Sequence, residues 1–247
     1  MVVPSGATTY YIDRMEITMA KQSENMEYQK AINHIVQMVK DGQLIIGSKI
    51  PSERDLSESL GIGRNSTREA ISILRGMGLV ESRHGSGNYI AKDSGAAIRS
   101  MIALMLALKT VSEYDLLEFR RYFSHIVVDC VMKKGISEKR KEQLYSIIDK
   151  MKTANGQDLV RLDFEFHVGL IECTENPLLI TVSRPVAELY IKSMSNVIEN
   201  ADEMIREKLL SLHTNILDNL VNQDETASTD SFNQHYDLVE NRLGGIH

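Results

Sequence analysis

Apolar residues first return at helical spacing at Ile32, Ile35, Val36 and Val39. This predicts an amphipathic helix over residues 27–40, ended near Gly42. Pro51-Ser52 opens a second helix, with Ser52 as N-cap and Glu53 and Asp55 placing negative charge in its first turn. Gly61 closes it, Ile62 plugs the following turn, and a third helix runs from about Asn65 to Met77 with Ala70, Ile71 and Leu74 inward. Leu79-Val80 and Tyr89-Ile90 read as two short strands around Arg83, His84, Gly85, Ser86 and Gly87. From residue 97 to 245 the helical period continues, with no strand-like alternation and only two prolines. The expected fold is mainly α: an N-terminal winged helix-turn-helix with a small β wing, then a C-terminal all-α helical bundle. The expected division is a poorly ordered extension over 1–25, a winged helix-turn-helix over 26–92 and a helical domain over 93–247.

The third helix opens with Arg64, Asn65, Ser66 and Arg68. Two guanidiniums and small polar side chains at one helix end suit entry into a DNA groove, where arginine reads guanine edges and short side chains allow close approach. A winged helix used for protein contacts is the alternative. Charge distribution favours DNA: residues 26–92 hold nine Lys/Arg against seven Asp/Glu, while residues 93–247 hold seventeen against twenty-four.

The helical half places polar residues on apolar faces. On a wheel of residues 157–172, Leu159, Leu162, Phe166 and Leu170 line the inner arc. Asp163 lies in its middle and His167 one turn on, while Asp158, Arg161, Glu165, Gly169 and Glu172 form the outer arc. His213 sits among Leu209, Ile216, Leu217 and Leu220, and His235 borders the face of Phe232, Val239 and Leu243. An inward histidine alone is usually a hydrogen-bonded core residue. An inward aspartate is costly unless neutralised, and one divalent cation would use the carboxylate and the imidazole lone pairs together. On residues 114–131 the apolar stripe is Leu116, Phe119, Phe123, Ile126 and Val127, with Arg120 on its flank and Arg121 pointing away. A guanidinium turned toward a bundle seeks a carboxylate, whether from the protein or from a ligand.

Length and composition fit two globular domains. Cys130 and Cys173 form no C-x-x-C pair and read as buried free thiols of a reducing compartment. Residues 1–25 lack a signal-peptide apolar core, and the longest apolar run, Met101 to Leu108, is too short to span a bilayer. The expectation is a cytoplasmic protein with no membrane partner, whose conventional start lies near Met26.

PSERDL, GRNSTREA and GLVESRHGSGNYI make residues 42–90 resemble the N-terminal domain of the GntR family of bacterial transcription regulators. The resemblance implies operator contacts by Arg54, Arg64, Arg68, and His84 with Gly85, and further contacts by Asn65 and Ser66. Gly63 departs from the family's usual Ser or Thr, removing a helix cap and a hydroxyl for phosphate. Downstream, LDFEFHV with ENPLL, then LHTNIL and NQHYDL, resemble the FCD effector domain of the FadR-type subfamily. That resemblance implies a divalent metal on Asp163, His167, His213 and His235, and Arg120 on the carboxylate of a small organic-acid effector. Ser124 and Leu212 depart from acidic residues usual in that family. The donor set does not choose between zinc, nickel and manganese.

These readings predict a ligand-responsive transcription regulator, a repressor of a carbohydrate-acid or organic-acid operon, with double-stranded operator DNA as partner. One wing module buries little DNA surface, so a homodimer is expected. Phe119, Tyr122, Phe166 and Tyr190 are expected to wall the effector site. Two alternatives remain at this point: the same regulator without metal and with an acyl ligand, and a metal-dependent hydrolase. No nucleophile or general-base motif stands near the ligands to favour the latter.

Overall fold

The computed structural model describes residues 26–199 and 202–243. The extension expected over residues 1–25 lies outside the described residues. The chain divides into two compact units, with the division between Ala97 and Ile98.

In the first unit, α1 (Glu27–Lys40), α2 (Glu53–Leu60) and α3 (Arg64–Gly76) precede a hairpin of β1 (Val80–Arg83) and β2 (Gly87–Ile90). Helix α1 buries Ala31, Ile32 and Ile35, whereas Val39, expected on this face, is 40% exposed. Helix α2 starts as its sequence dictates. The Ser52 hydroxyl accepts from the Asp55 N–H, and the Asp55 carboxylate accepts from the Ser52 N–H, each at 3.2 Å. Gly61 stops it in the left-handed region at φ 63°, a conformation cheap only for glycine. Ala70, Ile71 and Leu74 of α3 then meet Ile32, Ile35, Leu56, Ile62 and Val80 in one small core. The strands pair antiparallel from Val80↔Ile90 to Arg83↔Gly87. The wing tip is therefore His84, Gly85 and Ser86, and Gly87 belongs to β2 rather than to the loop.

The second unit is all helical among its described residues. It contains most of α4 (Gly95–Ala107), then α5 (Glu113–Lys134), α6 (Glu138–Met151), α7 (Gly156–Glu172), α8 (Pro177–Glu199), α9 (Glu203–Val221) and α10 (Glu225–Leu243). Helix α7 packs on α6 and α8, α9 on α10, and α5 on α8 and α10. Leu117, Val131, Leu144, Phe166, Leu170, Ile216, Leu217 and Phe232 form the centre of the core.

The structure corrects three expectations here. On α5 the expected Leu116, Phe123 and Val127 are buried, but so are Leu117, Arg120, Ser124 and Val128, while Phe119 and Ile126 are 37% and 40% exposed. The helix meets α7, α8, α9 and α10, so its burial extends beyond one apolar stripe. Arg121 does not point away from the bundle. It bridges Asp237 at 2.7 Å and Glu240 at 2.8 Å on α10. Gly169, expected outward, is buried where α7 crosses α6, and a Cβ there would stand 2.7 Å from Leu144 Cδ2. Of the two free thiols, Cys173 is buried and Cys130 only half-buried.

Candidate functional site

Two groups of polar residues stand out, one in each unit. In the first, α3 begins at Arg64, one residue earlier than expected. Gly63 is its N-cap, at φ −66°, and offers no side chain. A carboxylate from another helix meets the N-cap residue's own N–H instead. Glu27 Oε2 accepts from the Gly63 N–H at 3.0 Å and from the Ser66 hydroxyl at 2.8 Å. Those hydrogen bonds, chiefly the backbone one, hold the Glu27 carboxyl below its usual range. Arg68 Nε pairs with Glu53 at 3.2 Å and Arg54 Nε with Glu58 at 3.0 Å, all on the surface. Arg64 has no acidic partner among the described residues. At the wing, Arg83 lies over the Tyr89 ring at 4.0 Å and pairs with Glu81. His84 and Gly85 are exposed beyond it, with Gly85 at φ 67°. The sequence reading missed Glu27; a bare glycine at a helix start was the signal that a partner must come from elsewhere.

In the second unit, α7, α9 and α10 bring His167, His213 and His235 together. All three are buried, and one ring nitrogen of each lies within 4.8 Å of the others. Asp163 joins them, with Oδ1 3.4 Å from His213 Nε2 and 3.9 Å from His167 Nε2. Donors about 2.1 Å from a common ion stand roughly 3–4 Å apart, so this spacing needs little adjustment to hold one. Among the described residues, His213 Nε2 and His235 Nδ1 have no hydrogen-bond partner. Two buried orphan nitrogens are expensive in a core and ordinary in a ligand set.

Burial dominates the electrostatics. It pushes His167 and His235 well below the usual imidazole range, aided by Arg120 and the neighbouring rings. His213 is pushed down by burial and partly restored by Asp163. Burial raises Asp163, against the pull of His213 and Arg120. Neutral imidazoles with free lone pairs beside a carboxylate are the form a divalent cation binds.

Arg120 is buried, with its guanidinium 4.1 Å from the Tyr190 ring centre. No carboxylate lies within ion-pair distance of it among the described residues. Ser124, where an acid would be usual, donates instead to the Arg121 carbonyl at 2.6 Å. Leu212 is buried in the core beside His213. The crevice lined by Phe119, Arg120, Ser124, His167 and Tyr236 has a volume of only about 20 Å³, room for about one water. A larger cavity of about 230 Å³ opens on the other side of the cluster, between Lys152, Asp163, Arg206 and His213. Arg206, absent from the sequence reading, reaches Asn155 Oδ1 at 2.7 Å and the Ala154 carbonyl at 2.6 Å there. Tyr122, expected as a wall of the effector site, is 62% exposed, whereas Tyr190 is buried.

A winged helix-turn-helix with an arginine-bearing recognition helix, joined to an all-α bundle with a buried Asp-His cluster, defines a class of DNA-binding regulators that sense a ligand. The chain belongs to the GntR family of bacterial regulatory proteins, matched by residues 27–90, and carries an FCD domain over residues 131–238. It is similar to the HTH-type transcriptional regulator LutR of Bacillus subtilis, 31% identical over 159 residues that span 64% of this chain and 72% of that protein. It is also similar to the transcriptional repressor NanR of Cronobacter sakazakii, 24% identical across 95% of this chain and 90% of that protein. A solved GntR structure from Streptococcus agalactiae superimposes with a TM-score of 0.68 at 23% identity, covering 88% of this chain and 99% of that one, which shows a shared fold. The families and named relatives are regulators, not enzymes, so the hydrolase alternative is set aside. No helix among the described residues is long and apolar enough to cross a membrane.

Proposed function

We propose that the chain represses an operon for the use of small organic or sugar acids, binding palindromic operator DNA as a homodimer. In this reading residues 26–92 form the DNA-binding module and residues 93–247 the effector and dimerisation domain. Arg64, Asn65, Ser66 and Arg68 meet the groove, Arg54 holds phosphate, and His84 with Gly85 reach the flanking groove from the wing. The named relatives support the biological class: a repressor, NanR, and the Uxu operon transcriptional regulator of Escherichia coli, 25% identical over 206 residues.

The metal reading rests on one observation, the buried cluster of three histidines with two nitrogens unpartnered among the described residues, beside Asp163. Asp163, His167, His213 and His235 would hold one zinc, nickel or manganese ion. When bound, the ion neutralises Asp163 and offers open positions to ligand oxygens. Elemental analysis of purified wild-type and His213→Ala protein tests it; a metal content near one per chain in both would place the ion elsewhere.

The effector in this reading is a small carboxylate, anchored by Arg120, which is buried and lacks a protein carboxylate among the described residues. The crevice at Arg120 must widen to take it. The ligand therefore binds an opened bundle better than the closed one, and that difference in affinity is what coupling to DNA requires. A second reading is favoured by volume: the ligand enters the 230 Å³ cavity, with Arg206 as its anchor. Calorimetry with a panel of small hydroxy acids on Arg120→Ala and Arg206→Ala separates the two.

A further inference from the structure

We propose that Glu27 occupies, in the free protein, the place of a DNA backbone phosphate at the start of the recognition helix, and so lowers affinity for DNA of any sequence. The geometry carries this in three steps. First, a helix start carries a partial positive charge and unpaired N–H groups, and here an anion, the Glu27 carboxylate, sits at it on the N–H of the N-cap residue Gly63. Second, the same oxygen takes the hydroxyl hydrogen of Ser66, at 2.8 Å, so a polar group of the DNA-facing turn is already engaged. Third, the arrangement depends on Gly63. A Cβ at that position would come within 3.3 Å of Glu27 Oε2 and crowd the carboxylate, which glycine does not.

Glu27 is not the surface's only internal counterion. Glu53 on Arg68 and Glu58 on Arg54 do the same for two of the three arginines proposed to meet DNA. Those pairs join flexible exposed side chains and exchange readily with water. Glu27 differs because its partner is a fixed backbone N–H. Docking on DNA brings phosphates up to this turn, beside Arg64, and the carboxylate must either leave or be approached by like charge. Both outcomes cost affinity, and neither depends on base sequence. A penalty equal on every sequence lowers specific and non-specific affinity by the same factor, so Glu27 sets the level of DNA affinity and not the preference between sequences.

The test uses the full chain and a fluorescein-labelled duplex of mixed sequence, with anisotropy read from low to moderate NaCl. Glu27→Gln keeps an acceptor for Gly63 and Ser66 but removes the charge. It should bind about threefold tighter or more, the effect expected of one unit charge a few ångströms away in a water-like medium. Its salt dependence should steepen by up to about one unit of slope, the equivalent of one more phosphate neutralised. Gly63→Ser in the Glu27→Gln background restores a local cap, guards against loss of folding, and should show the same gain. Wild-type affinity with an unchanged slope in both variants, or weaker binding, would overturn the proposal and leave Glu27 a purely structural contact. Arg64→Ala is the control: if it leaves DNA binding intact, the placement of this helix on DNA fails instead.

Discussion

Single side chains carry the sharpest expectations. Arg64→Ala should cost operator affinity by about one to two orders of magnitude, as for loss of one bidentate guanine contact. The fold should remain intact because the residue is exposed. Gel shifts against melting curves check both halves of that statement. Arg54→Ala should weaken binding to all sequences alike and flatten the salt slope, because a phosphate contact carries no base information. At the cluster, chelator should lower the melting temperature of wild-type protein and do so far less in His213→Ala. At this scale the sequence was most legible where chemistry conflicts with position. An aspartate and three histidines on apolar faces could be found by wheel alone; the structure clusters the three histidines and sets Asp163 3.4 Å from His213. Arg121 and Glu27 were illegible because their partners lie on other helices, 116 residues away for Asp237 and 36 for Gly63.

Some helices begin here for local reasons, and the start at Ser52 was readable, whereas the one at Ser112 was not read and α3 draws on Glu27. Ser52 with Asp55 and Ser112 with Asp115 form capping boxes, with both carboxyls held below their ordinary range chiefly by the serine hydroxyls. A depressed folded pKa means that the unfolded chain binds protons first as the pH falls. The stabilisation is therefore complete above the ordinary carboxylate range and is lost as pH falls through the folded value. Ser52→Ala and Ser112→Ala should lower the melting temperature at neutral pH, with the deficit shrinking below about pH 4. A deficit constant across that range would show that the carboxylates do not participate. Orientation about the helix axis was less legible. Periodicity identifies an apolar face when one neighbour covers it, but α5 meets four helices and its buried surface takes in Arg120 and Ser124. Gly169 shows the same limit: its outward place on the wheel is where Leu144 crosses. Gly169→Val should destabilise by about 1–3 kcal/mol, the range for overpacking a close helix crossing, and Leu144→Ala in the same chain should recover part of it. Denaturant melts of the three variants decide this.

The whole molecule joins a DNA-reading module to a bundle with a buried polar centre, and its regulation must run through differences in binding free energy. A ligand that binds both DNA-competent and incompetent states equally shifts nothing, however tightly it binds. In the proposed reading the narrow crevice beside Arg120 supplies a physical source for such a difference, because a carboxylate of organic-acid size exceeds its roughly 20 Å³ and would have to widen it. The proposed dimer makes the same demand on both copies at once, and sedimentation at micromolar concentration should show a dimer with and without DNA. With effector at saturation, operator affinity should change by about 1–3 kcal/mol, the usual span of such couplings. Linkage then requires that operator DNA change effector affinity by the same factor, which calorimetry on the protein–DNA complex can measure independently. Arg120→Ala should leave operator binding near wild type and make it insensitive to the acid. If that variant still binds the acid as tightly as wild type while Arg206→Ala does not, the effector occupies the cavity between α6, α7 and α9, and the coupling must begin at the turn that Arg206 holds through Ala154 and Asn155.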